Sequence, residues 1–126
     1  MVEYEEQIQS EYEGPDFSTL KYIYFSLEIE CPPIWWSDGV RTYNDFPDDI
    51  EDDDDLWKVL VPLQMEFEET CFDKNWDVLG FPTDEAMEAF NAKWKTAYEF
   101  TKERLKGRYQ VLEPAYFQHR INDVYP

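Results

Sequence analysis

The residues that could carry covalent chemistry are few and badly matched. The chain has one histidine, His119, set between Gln118 and Arg120, and two cysteines, Cys31 and Cys71. A cysteine nucleophile needs a neighbouring base and a lowered pKa. Cys71 instead follows Glu68, Glu69 and Thr70, and nearby carboxylates push a thiol upward. The four glycines stand apart at 14, 39, 80 and 107, so there is no glycine-rich loop to cradle a phosphate. Zinc ligation lacks the paired Cys and His spacing it requires. Carboxylates are so numerous that a glycosidase pair cannot be picked out by counting. The segment Asp73-Lys74-Asn75-Trp76-Asp77 places oxygen ligands as the start of a calcium loop would, and Asp84 falls at the twelfth position. The sixth position, a glycine in such loops, is Val78, and Phe81-Pro82 replaces flexible ligands. The better reading is a polar turn leading into the next helix. No enzyme, metal or cofactor is expected.

What remains is charge. The 126 residues carry 29 acids against 11 bases, a formal net of -18 at pH 7, yet 18% are aromatic. Acidic disordered tails lack that aromatic load, so the chain is expected to fold despite its self-repulsion. Nucleic-acid binders need net positive charge, and anionic membranes repel this chain, so direct contact with either is not expected. Residues 1–55 hold 17 acids against Lys21 and Arg41, a net of -15, and residues 56–126 hold 12 acids against 9 bases, a net of -3. The densest stretch, residues 45–55, has eight carboxylates in eleven residues. Aromatic residues, Trp35, Trp36, Tyr43, Phe46 and Trp57, flank or interrupt it. The bland account is a solvated loop that maintains solubility. Solubility, however, needs a net charge of only about 2–8 in a small domain. Carboxylates that steer and aromatics that anchor together describe a binding face for a basic protein. The candidate contact residues are Asp48, Asp49, Glu51, Asp52, Asp53, Asp54, Asp55, Trp35, Trp36, Tyr43 and Phe46.

These residues must be positioned by a small fold. Between Leu20 and Cys31, apolar Ile23, Phe25, Leu27, Ile29 and Cys31 alternate with Tyr22, Tyr24, Ser26, Glu28 and Glu30, the period of a strand. Pro32-Pro33 ends it, a loop carrying Trp35 and Trp36 follows, and residues 37–55 read as an acidic loop. Leu56, Val59, Leu60, Leu63, Phe67 and Cys71 have helical spacing behind Asp55 as cap, although Pro62 opposes a helix by about 3 kcal/mol. The spacing of Leu63, Met65 and Phe67 also allows a strand, so a kinked helix over 56–72 is the favoured of two readings. Residues 84–106 form the clearest helix: Thr83 is a plausible cap, acids fill the first turn, bases fill the last, and Gly107 follows. The tail from Tyr109 supplies another strand or a packed irregular segment.

The expectation is one α+β domain over 1–126: a short antiparallel sheet packed on one long amphipathic helix and a second, kinked one. Residues 1–13 read as a flexible arm. The start, Met1-Val2-Glu3-Tyr4-Glu5-Glu6, lacks the features of a secretory signal. That favours a cytoplasmic protein with two reduced thiols, with a Cys31–Cys71 bridge left open. Functionally, a small acidic inhibitor that blocks a basic, nucleic-acid-acting protein is expected, first as a cognate immunity protein of a bacterial nuclease-type toxin. Two alternatives stay open: a phage-encoded anti-defence protein (DNA mimic, anti-restriction or anti-CRISPR), and a non-inhibitory interaction or structural module.

Overall fold

A computed structural model describes residues 15–121 of the chain. The arm expected at residues 1–13 lies outside them. Strands β1 (Tyr22–Phe25), β2 (Ile34–Ser37) and β3 (Thr42–Tyr43) precede helices α1 (Asp48–Glu51), α2 (Asp54–Cys71) and α3 (Asp84–Arg104), and β4 (Gln110–Val111) follows them. The sheet order is β3-β2-β1-β4. The β1–β2 and β2–β3 pairs are antiparallel, but β4 joins β1 in parallel, so the sheet is mixed rather than antiparallel. Among the described residues, no helix is long and apolar enough to cross a membrane.

The alternation predicted for 20–31 holds through Phe25, with Ile23 and Phe25 buried and Tyr22 and Tyr24 half-buried. It then stops, because the next residues find partners off the sheet. The Glu28 carbonyl accepts from Gln64 Nε2 at 2.6 Å, and the Glu30 amide donates to Glu68 Oε2 at 2.6 Å. Glu30 takes a left-handed φ of 62°, and the Ser26 amide closes the turn on the Pro33 carbonyl at 3.0 Å. The strand is thus replaced by a turn pinned to α2.

Trp35 and Trp36, expected in a loop, belong to β2. Cross-strand partners share a sheet face, so Trp36 lies opposite Ile23 and Ile34 opposite Phe25. Trp36 is 0% exposed, stacks on Tyr43 at 4.3 Å between ring centroids, and donates its indole N–H to the Asp45 carbonyl. A bulky aromatic with its polar atom satisfied belongs inside.

α2 forms as the helical reading of 56–72 expected, running from Asp54 to Cys71 with Pro62 within it. Leu56, Leu60, Leu63, Phe67 and Cys71 bury one face of it. Each large apolar side chain contributes about 1.5–3 kcal/mol, which together outweighs the proline penalty of about 3. The cap is Asp53 rather than Asp55, since Asp53 accepts from the Leu56 amide at 3.2 Å. α3 starts where Thr83 predicts, its hydroxyl accepting from the Ala86 amide at 3.0 Å. Its buried stripe is Met87, Phe90, Trp94, Ala97 and Thr101. After β4 the tail is irregular but packed. Phe117 lies within 5.1–6.1 Å of the rings of Phe67, Phe81, Phe90 and Trp94. Asn91 holds the Phe117 backbone by two hydrogen bonds, at 2.8 and 3.0 Å.

Because Phe90 touches four other aromatic rings, Phe90→Ala leaves a cavity at their junction. Urea denaturation should show a loss of about 3–5 kcal/mol. Val40→Ala, at a side chain 90% exposed, should leave the midpoint within about 0.5 kcal/mol.

Candidate functional site

The acidic stretch is two consecutive helix starts, not a loop. Asp48, Asp49 and Glu51 occupy α1, entered from Pro47. Asp52 links the helices, Asp53 caps α2, and Asp54 and Asp55 fill its first turn. A helix N-terminus concentrates partial positive charge, and negative side chains there are stabilising. Part of the density of acids therefore has a local cause.

A second cause is the end of α3. Arg104 meets Asp53 through two hydrogen bonds, Nε to Oδ2 at 2.6 Å and Nη2 to Oδ1 at 2.7 Å, and approaches Asp55 at 3.5 Å. Arg108 reaches Asp49 at 3.2 Å, and the Tyr109 hydroxyl donates to the same carboxylate at 2.9 Å. The Arg104 hydrogen bond holds the Asp53 carboxyl below the usual range, with the Leu56 amide acting in the same direction. Burial, and then the Asp49 hydrogen bond, push the Tyr109 phenol up.

The seven carboxylates of the run thus separate into two groups. Asp49, Asp53 and Asp55 face cations of the chain itself. Asp48, Glu51, Asp52 and Asp54 are exposed, and no cation of the chain pairs with them, although all 11 basic residues lie within the described span.

The aromatic half of the expectation needs correction. Trp36 and Phe46 are buried core residues, and Tyr43 is half-buried under its stack on Trp36. Trp35 is half-buried, with its indole N–H bound to the Ser26 carbonyl at 3.2 Å. Trp36 and Phe46 therefore offer almost no surface to a partner, and Trp35 and Tyr43 offer only part of theirs. The apolar surface beside the acids is elsewhere, on α2. Trp57, Val61 and Met65 follow at i, i+4 and i+8, which places them on one helix face. Val61 is 45% and Met65 52% exposed. Trp57 packs edge-on against Phe46 at 5.7 Å and donates to the Ile50 carbonyl at 2.9 Å, so it joins this stripe to the acidic turn. The stripe borders a cavity of about 310 Å³, closed on its other side by Glu30, Cys31, Pro32 and Pro33. The i, i+4, i+8 spacing was visible in the sequence, and the signal that it faces outward was not.

The remaining candidates are placed as follows. Asp73 Oδ1 accepts from the Asn75 and Asp77 amides at 2.8 and 3.0 Å, and Asp84, in the first turn of α3, pairs with Arg120 at 3.3 Å. Among the described residues no group of three His, Cys, Asp or Glu is placed to hold a metal ion. Both cysteines are free; Cys31 is half-buried and Cys71 buried, and burial pushes the Cys71 thiol up to about 12. His119 is exposed and bonds to neither cysteine.

Asp53 caps α2 and pairs with Arg104, and two substitutions separate these roles. Asp53→Asn keeps a capping side chain and loses the ion pair, and should cost about 0.5–1 kcal/mol in urea denaturation. Asp53→Ala loses both and should cost about 1 kcal/mol more. A depressed carboxyl contributes stability above its unfolded value of 3.8. The advantage of wild type over Asp53→Asn should therefore be full at neutral pH and vanish as pH falls through the lowered folded-state value.

No family model and no curated protein matches this chain.

Proposed function

We propose that the chain is a stoichiometric protein inhibitor of a basic, nucleic-acid-acting protein, in the first instance an immunity protein for a nuclease-type toxin. The observation that carries this reading is the pairing of two unlike surfaces. Asp48, Glu51, Asp52 and Asp54 are exposed without a cation of the chain beside them, and the stripe of half-buried Trp57 and exposed Val61 and Met65 lies next to them. Each surface has its own task. Fixed carboxylates take the place of phosphates in a groove built for nucleic acid, and with a net charge of -18 they accelerate encounter with a positive partner. The apolar stripe supplies affinity that salt does not screen, since a few desolvated aromatic and aliphatic anchors carry most of the energy of such interfaces. The effective decoy is four carboxylates rather than seven, because Arg104 and Arg108 occupy the other three.

The test starts with isolation of the partner from the native host at low salt, followed by kinetics on the purified pair. One equivalent of the chain should abolish the partner's nuclease activity. The association rate should fall at least about tenfold between about 50 and 500 mM salt. Replacing Asp48, Asp52 and Asp54 by Asn and Glu51 by Gln should slow association several-fold and change dissociation little. An association rate that is the same at both salt concentrations, or full nuclease activity in the equimolar complex, overturns the proposal.

A further inference from the structure

Two residues that line the cavity beside the α2 stripe each keep one acceptor without a donor, and one of these acceptors is buried. Gln64 lines the cavity, is 7% exposed, and has no hydrogen-bond partner for its Oε1 among the described residues. The orientation of its amide is settled by its neighbours. Nε2 donates to the Glu28 carbonyl at 2.6 Å and to Glu68 Oε2 at 3.2 Å, and a flipped amide would set oxygen against oxygen at both. Glu68 lines the same cavity one helical turn later, and its Oε2 is taken by Gln64 and by the Glu30 amide at 2.6 Å. Its other oxygen has no donor among the described residues. Glu30 adds a further carboxylate to the lining, while Trp57, Val61 and Met65 form an apolar wall. All 11 lysines and arginines of the chain lie within the described span, and none lines this cavity.

Gln64 Oε1 is a buried acceptor without a donor, which is costly and uncommon in folded proteins, whereas Glu68 is half-buried and its free oxygen carries the charge. A site that offers such acceptors together with negative charge and an apolar wall suits a cation with a long apolar stem. Arginine fits better than lysine. Its planar fork bridges two acceptors at once, its stem covers aliphatic surface, and its guanidinium stacks on indole.

We infer that the groove between the Glu30–Pro33 turn and α2 receives an arginine side chain of the partner, with Gln64 and Glu68 accepting from the guanidinium and Trp57, Val61 and Met65 packing on its stem. This rests on the reading of a basic partner and names the contact that partner makes.

The probe is the capped tripeptide acetyl-Gly-Arg-Gly-amide, titrated into the full chain and followed by the NMR signals of the Trp57 indole and the Gln64 amide. Saturable shifts of both are expected, with binding about tenfold weaker for the citrulline counterpart, which loses the charge. Glu68→Gln keeps an acceptor for the Glu30 amide, so the turn is retained, and it should weaken the arginine peptide about tenfold. Gln64→Met should do the same. Equal shifts with citrulline, or unchanged binding in both variants, overturn the assignment. With the purified partner, the Gln64→Met, Glu68→Gln double variant should raise the dissociation rate at least tenfold. If it has no effect while inhibition remains salt-sensitive, the groove assignment falls and the inhibitor reading stands. If the peptide binds as expected and the isolated partner is not basic, the groove stands and the inhibitor reading falls.

Discussion

The ion pair between Asp53 and Arg104 organises the acidic end of this molecule. It ties the N-cap of one long helix to the last turn of the other. Asp53 also caps α2, so one carboxylate fixes where that helix begins and where its start sits relative to α3. Arg108 and Tyr109 repeat the arrangement at Asp49. Eight carboxylates in eleven residues would otherwise repel one another along an unrestrained segment. Here the helix N-termini and two arginines compensate part of that charge, and the segment becomes an ordered ridge. Ordering matters for a mimic of phosphate, because a pre-set array of charges loses less entropy on binding than a flexible one.

That division also resolves why the charge is retained. Repulsion among surplus acids opposes the compact state. The three compensated carboxylates have a structural reason to be present. The other four have no cation beside them, and only the first turns of α1 and α2, where Asp48, Glu51 and Asp54 lie, favour their charge. Charge alone does not make an interface, since screened surface pairs contribute at most about 1 kcal/mol each. In the interface proposed above, the apolar stripe next to the acids supplies what they lack.

The sequence revealed the fold where a pattern and its boundary signals agreed. α3 had periodicity, a cap, ordered charge and a terminal glycine, and its observed bounds of Asp84–Arg104 lie within two residues of the expected ones. β1 was legible only to Phe25, because alternation continued past the point where Gln64 and Glu68 capture the backbone of the turn. No local rule announces a partner 36 or 38 residues away. The sequence placed the acids at the surface, where most of them lie, whereas the exposure it suggested for Trp36 and Phe46 was misjudged. Adjacency to acids made Trp36 and Phe46 look exposed, but burial is set by strand register and by a distant acceptor for the indole. The role of Arg104 was equally hidden, since it faces Asp53 across 51 residues of chain.

The ambiguity of residues 56–72 has the same origin as the proposed recognition site. α2 buries Leu56, Leu60, Leu63, Phe67 and Cys71 on one side and carries Trp57, Val61 and Met65 on another. The two stripes together make apolar residues recur too often for a clean helical period, and Leu63, Met65 and Phe67 then mimic a strand. An ordinary surface helix has one apolar stripe and a polar remainder. A helix with two either sits deep in a larger core or meets a second surface. α2 has a core on one side only, and its second stripe is bordered by Glu30, Glu68 and the acidic turn. The feature that blurred the pattern is therefore the one that fits an apolar anchor inside a negatively charged rim, which is the complement of a basic protein carrying an arginine on its surface.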